Sequence, residues 1–184
     1  MAFCVLLWHL PPLHAKDGVE HVIVYKEEGR FAGWPANGGF WAWGDELLVC
    51  FDIGSHKPRA NNHAFDPAVP MRCGFARSTD GGATWACEEH ANVRSPGEIE
   101  KGDYIEKPGG FDFFAPGFAM KFRDAAMWTS ENRGRDWQGP FQTSRQKDWI
   151  FLARTSYIVT DADSAFIFMT AREKQKDEKT RKRN

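Results

Sequence analysis

The sequence predicts an all-β chain of short antiparallel strands, and three observations predict it. Apolar runs rich in β-branched and aromatic residues are short and bounded by Gly, Pro, Asn or Asp, as in Val19–Tyr25, Phe40–Trp43 and Met71–Ser78. Aromatic residues make up 14% of the 184-residue chain, with 8 Trp and 15 Phe, which suits sheets packed face to face. Most telling is a repeated pattern. Ser78-Thr79-Asp80-Gly81-Gly82-Ala83-Thr84-Trp85 returns as Ser130-Glu131-Asn132-Arg133-Gly134-Arg135-Asp136-Trp137, with Ser, Gly and Trp in register and Asn132 in place of Asp80. Each copy has the chemistry of a tight hairpin. An Asp or Asn side chain accepts backbone N–H groups of its own turn, Gly82 and Gly134 take a positive φ at no steric cost, and the Trp returns on the outgoing strand. The offset of 52 residues is close to the length of a four-stranded propeller blade.

In chain order, Met1–Leu10 is apolar and Pro11-Pro12-Leu13-His14-Ala15 precedes charge. Residues 1–15 read either as a secretory signal cut after Ala15, lacking the usual positive start, or as a buried N-terminal strand. The run is too short to span a bilayer as a mature helix. The first reading places the protein outside the cytoplasm, secreted or periplasmic; the second leaves it cytoplasmic. Val19–Tyr25 reads as a strand. Gly33, Pro35, Gly38 and Gly39 make a loop, then Phe40–Trp43 and Glu46–Phe51 form a hairpin around Gly44-Asp45. A polar excursion over Gly54–Pro70 returns into Met71–Ser78, the first repeated pattern and Thr84–Ala91, which gives a first blade of four strands. Asn92–Gly110 reads as a long surface loop. Phe118–Phe122, Ala125–Ser130 and Asp136–Phe141 build a second blade. Trp149–Arg154, Tyr157–Thr160 and Ser164–Thr170 begin a third. From 172 to 184 the chain is almost wholly charged and cannot bury a strand.

Charge and cysteine content narrow the function classes. The net charge is −1, but residues 171–184 carry +4, which leaves −5 on the body. An acidic body argues against general nucleic-acid binding, and an anionic ligand would need a local Arg cluster. Cys50, Cys73 and Cys87 are too few for a disulfide framework. Cys73 and Cys87 flank the first repeated pattern, where either a cross-strand bridge or buried free thiols fit. No Cys/His spacing suggests zinc, and no membrane span is predicted.

Ser-x-Asp-x-Gly-x-x-Trp resembles the Asp box of the sialidase (neuraminidase) superfamily, also called the BNR repeat. The stretch Arg30-Phe31-Ala32-Gly33-Trp34-Pro35-Ala36-Asn37-Gly38-Gly39 resembles the opening of bacterial sialidase-like proteins. The resemblance covers residues 19–171. It implies an all-β fold, a partial six-bladed β-propeller of about three blades of antiparallel four-stranded sheets, since six blades of about 50 residues need about 300. Exposed blade edges would then favour self-association. Ser78, Asp80, Gly82, Trp85, Ser130, Asn132, Gly134 and Trp137 are structural box residues on this reading. Boxes in that superfamily lie away from the active site and also occur in non-catalytic propellers.

The implied activity is exo-α-sialidase-type hydrolysis releasing terminal sialic acids from a sialylated glycan, with no cofactor and no metal. Three Arg grip the sialic acid carboxylate in that family, because guanidinium forks match a carboxylate bidentately. An Asp acts as acid/base, and a Tyr activated by Glu is the nucleophile. Arg30 holds the place of the first Arg, although Phe31-Ala32-Gly33-Trp34 intervene before Pro35 where the family has a single hydrophobic residue. Asp66 holds the place of the acid; its other reading is a turn cap before Pro67. Arg59 and His63 share its loop and become candidate substrate contacts, as does Arg154. The Tyr–Glu pair and a later Arg are not recognisable, so the site is expected to be incomplete in this chain. The alternative is a non-catalytic Asp-box propeller segment that binds glycan or protein.

Overall fold

The computed structural model describes residues 20–94, 99–107, 109–144, 146 and 148–174. The expected leader over residues 1–15 and the tail from 175 onward lie outside them. The described fold is all-β apart from one helical turn and one 3₁₀ turn.

The first sheet is organised around β3 (Glu46–Ser55). β1 (Arg30–Gly33) and β2 (Gly39–Trp43) both pair antiparallel with it, Arg30 opposite Ser55 and Gly39 opposite Cys50. They act as one strand broken by α1 (Pro35–Gly38). A Cβ on Gly38 would collide with the Cys50 carbonyl, so the break depends on glycine there. β4 (Arg72–Ser78) takes the other edge of β3, and β5 (Ala86–Glu88) pairs with β4. The continuous apolar run of β3 is explained by burial on both faces. Leu48 and Cys50 face the second sheet, whereas Val49, Phe51 and Ile53 face outward beneath Val24, Tyr25 and Trp85.

The second sheet is β6 (Ala119–Arg123), β7 (Ala126–Ser130) and β8 (Gln138–Gln142). Its Trp128 and Trp137 pack with Trp41, Leu48 and Phe75 of the first sheet. Trp128, 0% exposed, is the largest fully buried side chain. Described parts of the segment expected as a surface loop are tied to this junction. Val93 is buried, Trp128 Nε1 donates to the Asn92 carbonyl at 2.9 Å, and the Ile105 amide donates to the Pro140 carbonyl at 2.9 Å.

The last element is a hairpin of β9 (Trp149–Asp161) and β10 (Ser164–Glu173). Its inner face packs Ala153, Tyr157, Ile167 and Met169 against Met120, Phe122 and Met127. It caps the free edge of β6 largely through side chains. The Phe122 amide donates to Thr155 Oγ1 at 3.1 Å and the Met120 amide to the Tyr157 hydroxyl at 3.2 Å. Unpaired edge amides are thereby satisfied without a full ladder.

Four sequence expectations need correction. The described part of Val19–Tyr25 is irregular chain, because no strand among the described residues offers it a ladder. Trp149–Arg154 and Tyr157–Thr160 are one strand, with the ladder shifting register at Arg154-Thr155-Ser156 opposite Phe168, and the chain turns only at Asp161-Ala162-Asp163. The second sheet holds the three strands read for it and, among the described residues, not the fourth that a blade requires. Arg172 and Glu173 belong to β10, opposite Ile150 and Trp149, and not to a structureless tail.

Candidate functional site

The two repeated patterns close the same kind of hairpin, β4 to β5 and β7 to β8, and share several hydrogen bonds. Ser78 Oγ donates to Asp80 Oδ1 at 2.7 Å and accepts the Gly82 amide at 2.8 Å. Ser130 Oγ donates to Asn132 Oδ1 at 2.9 Å and accepts the Gly134 amide at 2.9 Å. Asp80 Oδ1 accepts the Thr84 amide at 2.9 Å, and Asn132 Oδ1 accepts the Asp136 amide at the same distance. The acid-to-amide change is accommodated by its neighbour. Asp80 Oδ2 accepts the Thr84 hydroxyl, whereas Asn132 Nδ2 donates to Asp136. Gly82 and Gly134 have φ of 97° and 73°, which the turn requires. Donation from Thr84 brings the Asp80 carboxyl down to about 2. The Trp residues differ: Trp137 is buried between the sheets, while Trp85 is only half-buried on the uncovered face of the first. The missing cover over the outward face of the first sheet explains the difference.

These turns sit at the Leu47/Ser78 end of β3 and β4, while Arg30 sits opposite Ser55 at the other end. Eight residues of strand separate them, about 26 Å. At that far end the loop after β3 folds back, with the Asp66 amide donating to the Ser55 carbonyl at 2.9 Å. Arg30 and Asp66 are therefore both neighbours of Ser55. Arg30 Nε donates to Glu27 Oε1 at 3.3 Å, and the Tyr25 hydroxyl donates to Glu27 Oε2 at 2.7 Å. Asp66 accepts Lys57 Nζ at 3.0 Å and the Ala68 amide at 3.0 Å. The second bond is the turn cap anticipated before Pro67. Lys57, and then that amide, hold the Asp66 carboxyl below its usual range. As placed it is a carboxylate at neutral pH, and proton donation would require Lys57 to withdraw.

Beside this polar pair lies an aromatic cluster that sequence reasoning missed. Trp34 meets Phe31, His63 and Phe65 at ring-centre distances of 5.2, 5.0 and 5.6 Å. Arg59 lies over the Phe65 ring at 5.4 Å. Trp34 itself is left-handed, φ 54° and ψ 47°, an uncommon strain for a bulky residue and the kind stored in functional loops. The intervening Phe31–Trp34 that spoils the family-like Arg30 motif is what builds this cluster. Arg59 and His63 thus join the Arg30–Asp66 end. Arg154 does not: its neighbours Ala153 and Thr155 face β6 and α1, which leaves Arg154 exposed on the outer face of the hairpin. Another Arg does reach this end. Arg123, the last residue of β6, binds both Asp52 oxygens at 2.6 and 2.5 Å, and Asp52 stands opposite Gly33.

The arrangement offers cations, a carboxylate and aromatic faces on one rim. Burial, then the bond to Glu27, raises the Tyr25 phenol to about 12, the reverse of what an activated nucleophile needs. Among the described residues no group of three His, Cys, Asp or Glu could hold a metal ion, and no helix is long and apolar enough to cross a membrane. Compared with known protein families, curated proteins and solved structures, the chain has no match.

Proposed function

We propose that the chain is part of an Asp-box β-propeller of sialidase type, and that its Arg30–Asp66 rim takes a sialylated glycan. The observation that carries this reading is the pair of boxes. Their serine bonds to the box acid or amide and to the box glycine correspond, and they lie at the opposite end of the strands from Arg30 and Asp66. That separation of structural turn from site is what the sialidase resemblance implies. The Phe31–Trp34–Phe65 surface adds apolar faces against which a sugar ring packs, beside cations suited to its carboxylate. A leader over residues 1–15 would place such a protein where extracellular glycans are met.

A second reading, glycan binding without hydrolysis, is favoured by the state of the acid and the phenol. Lys57 keeps Asp66 ionised, and Tyr25 is held protonated. Groups that act as a unit in catalysis fail together when one is missing. The chain alone is therefore expected to show no turnover of a fluorogenic sialoside. Arg30→Ala should weaken retention of sialylated glycans about tenfold, the usual scale for one charge-assisted contact. Turnover abolished by Arg30→Ala would overturn the incomplete-site argument. Equal retention of sialylated and neutral glycans would remove the sialic acid assignment and leave a general carbohydrate surface.

A further inference from the structure

A second cluster of titratable and nucleophilic side chains lies between the two sheets. Cys50 on β3 and Cys73 on β4 are diagonal neighbours, Cys50 facing Phe75 and Cys73 facing Asp52 across the ladder. Their sulfurs are 3.1 Å apart. Cys50 is completely buried, whereas Cys73 is partly exposed at the edge of the junction. The second sheet brings two cations to this place. Arg123 is paired with Asp52. Lys121, 3% exposed, has its ammonium 6.0 Å from the centre of the Trp128 ring and makes no ion pair within 4 Å among the described residues. Cys87 is different: it stands opposite Ala76, on the outward face of the sheet, and is exposed.

We propose that Cys50 and Cys73 are a redox-active dithiol that closes to an intramolecular disulfide by exchange with a small disulfide of the glutathione type. Cys73 is the attacking thiol. It is the one that a small molecule reaches, and the Cys50 S–H can donate to its sulfur. That bond, with Lys121 and Arg123 nearby and Asp52 opposing them, favours its thiolate, while burial pushes Cys50 up. In the first step the Cys73 thiolate attacks one sulfur of the small disulfide, forms a mixed disulfide and expels one small thiolate. Cys50 then gives its proton to that thiolate, attacks the Cys73 sulfur and expels the second, which takes up from solvent the proton that Cys73 released on forming its thiolate. Two protein thiols are oxidised to one disulfide, and one small disulfide is reduced to two thiols. The bond would close a loop over residues 50–73, which contains the whole Arg59–Asp66 excursion, so oxidation would tether the rim described above.

The test uses the full chain carrying Cys4→Ser and Cys87→Ser, equilibrated over a range of reduced-to-oxidised glutathione ratios, acid-quenched, alkylated and mapped by mass spectrometry. The expected product is a peptide cross-linked through Cys50 and Cys73. Adding Cys50→Ser should trap a stable glutathione adduct on Cys73. Adding Cys73→Ser should leave Cys50 with neither adduct nor cross-link. Lys121→Met should slow the exchange and move the pH midpoint of Cys73 alkylation upward. If that variant does not fold by circular dichroism, the contrast between the two serine variants decides alone. Two alkylated thiols under oxidising conditions, or an adduct on Cys50 in place of Cys73, would overturn the proposal.

Discussion

Glu46 and Glu88 show how single charged residues join the elements. Glu46, at the start of β3, accepts Arg77 at 2.8 Å from its own sheet, and Arg133 at 2.9 Å and Arg135 at 2.7 Å from the second turn. Glu88 accepts Arg77 at 2.6 Å and lies 3.3 Å from His90. Burial alone would raise both carboxyls, yet the arginines lower Glu46, and His90 and Arg77 bring Glu88 down to about 2. A carboxyl depressed by folding stabilises the native state above its unfolded value and loses that contribution as pH falls. For Glu88 the loss should run from about pH 4.5 down to about pH 2 and, because solvent screens this partly exposed group, amount to about 1–2 kcal/mol rather than the full linkage value. Urea midpoints at pH 7, 4 and 3 would check this, with Glu88→Gln giving the flatter profile. An unchanged slope in that variant would mean the pair contributes nothing. None of these partnerships was legible in the sequence. Glu46 meets Arg133, 87 residues further along the chain, only because sheet packing brings the second turn onto the start of β3.

Among the elements, the turns were the most legible, because their chemistry is local. Ser78, Asp80 and Gly82 carry the conformation in their own side chains and backbone, so spacing alone revealed them. The hairpin β2–β3 was legible for the same reason, through Gly44-Asp45. The end of the chain was less so. β9 runs unbroken through a stretch where blade spacing called for a turn, and only its neighbours on β6 explain why. Trp85 and Trp137 look equivalent in sequence but differ in what covers them. Trp137→Ala should therefore cost about 3–5 kcal/mol. Trp85→Ala should cost less, about 1–2 kcal/mol, in proportion to its partial burial. Chemical denaturation of both variants compares them directly, and equal losses would mean that Trp85 is covered in solution.

Over the whole molecule, one face of each outer element is left bare. On the first sheet, Phe40 is 60% exposed beside an apolar groove lined by Ile23, Pro35, Phe51 and Trp85. On the hairpin, Ile158, Phe166 and Phe168 are 55%, 66% and 53% exposed on one surface. Patches of this kind are uncommon on a lone soluble domain. The chain should therefore self-associate with rising concentration, and Phe166→Glu with Phe168→Glu should suppress this in sedimentation. A monodisperse wild-type monomer over the same range would contradict it. The rim at the other end was legible only in part: sequence order named Arg30 and Asp66, but Trp34, Phe65 and Arg123 come to it through β1, the returning loop and the second sheet.

The most direct measurement on the central claim is an amide chemical-shift titration of the isotope-labelled chain with sialyllactose, and with lactose as control. The predicted result is a set of shifts confined to the rim, at Arg30, Trp34, Arg59, His63 and Asp66, with both repeated turns silent and lactose producing no comparable change. Shifts centred on the turns at Ser78 and Ser130, or no response to the sialylated sugar at millimolar concentration, would contradict it.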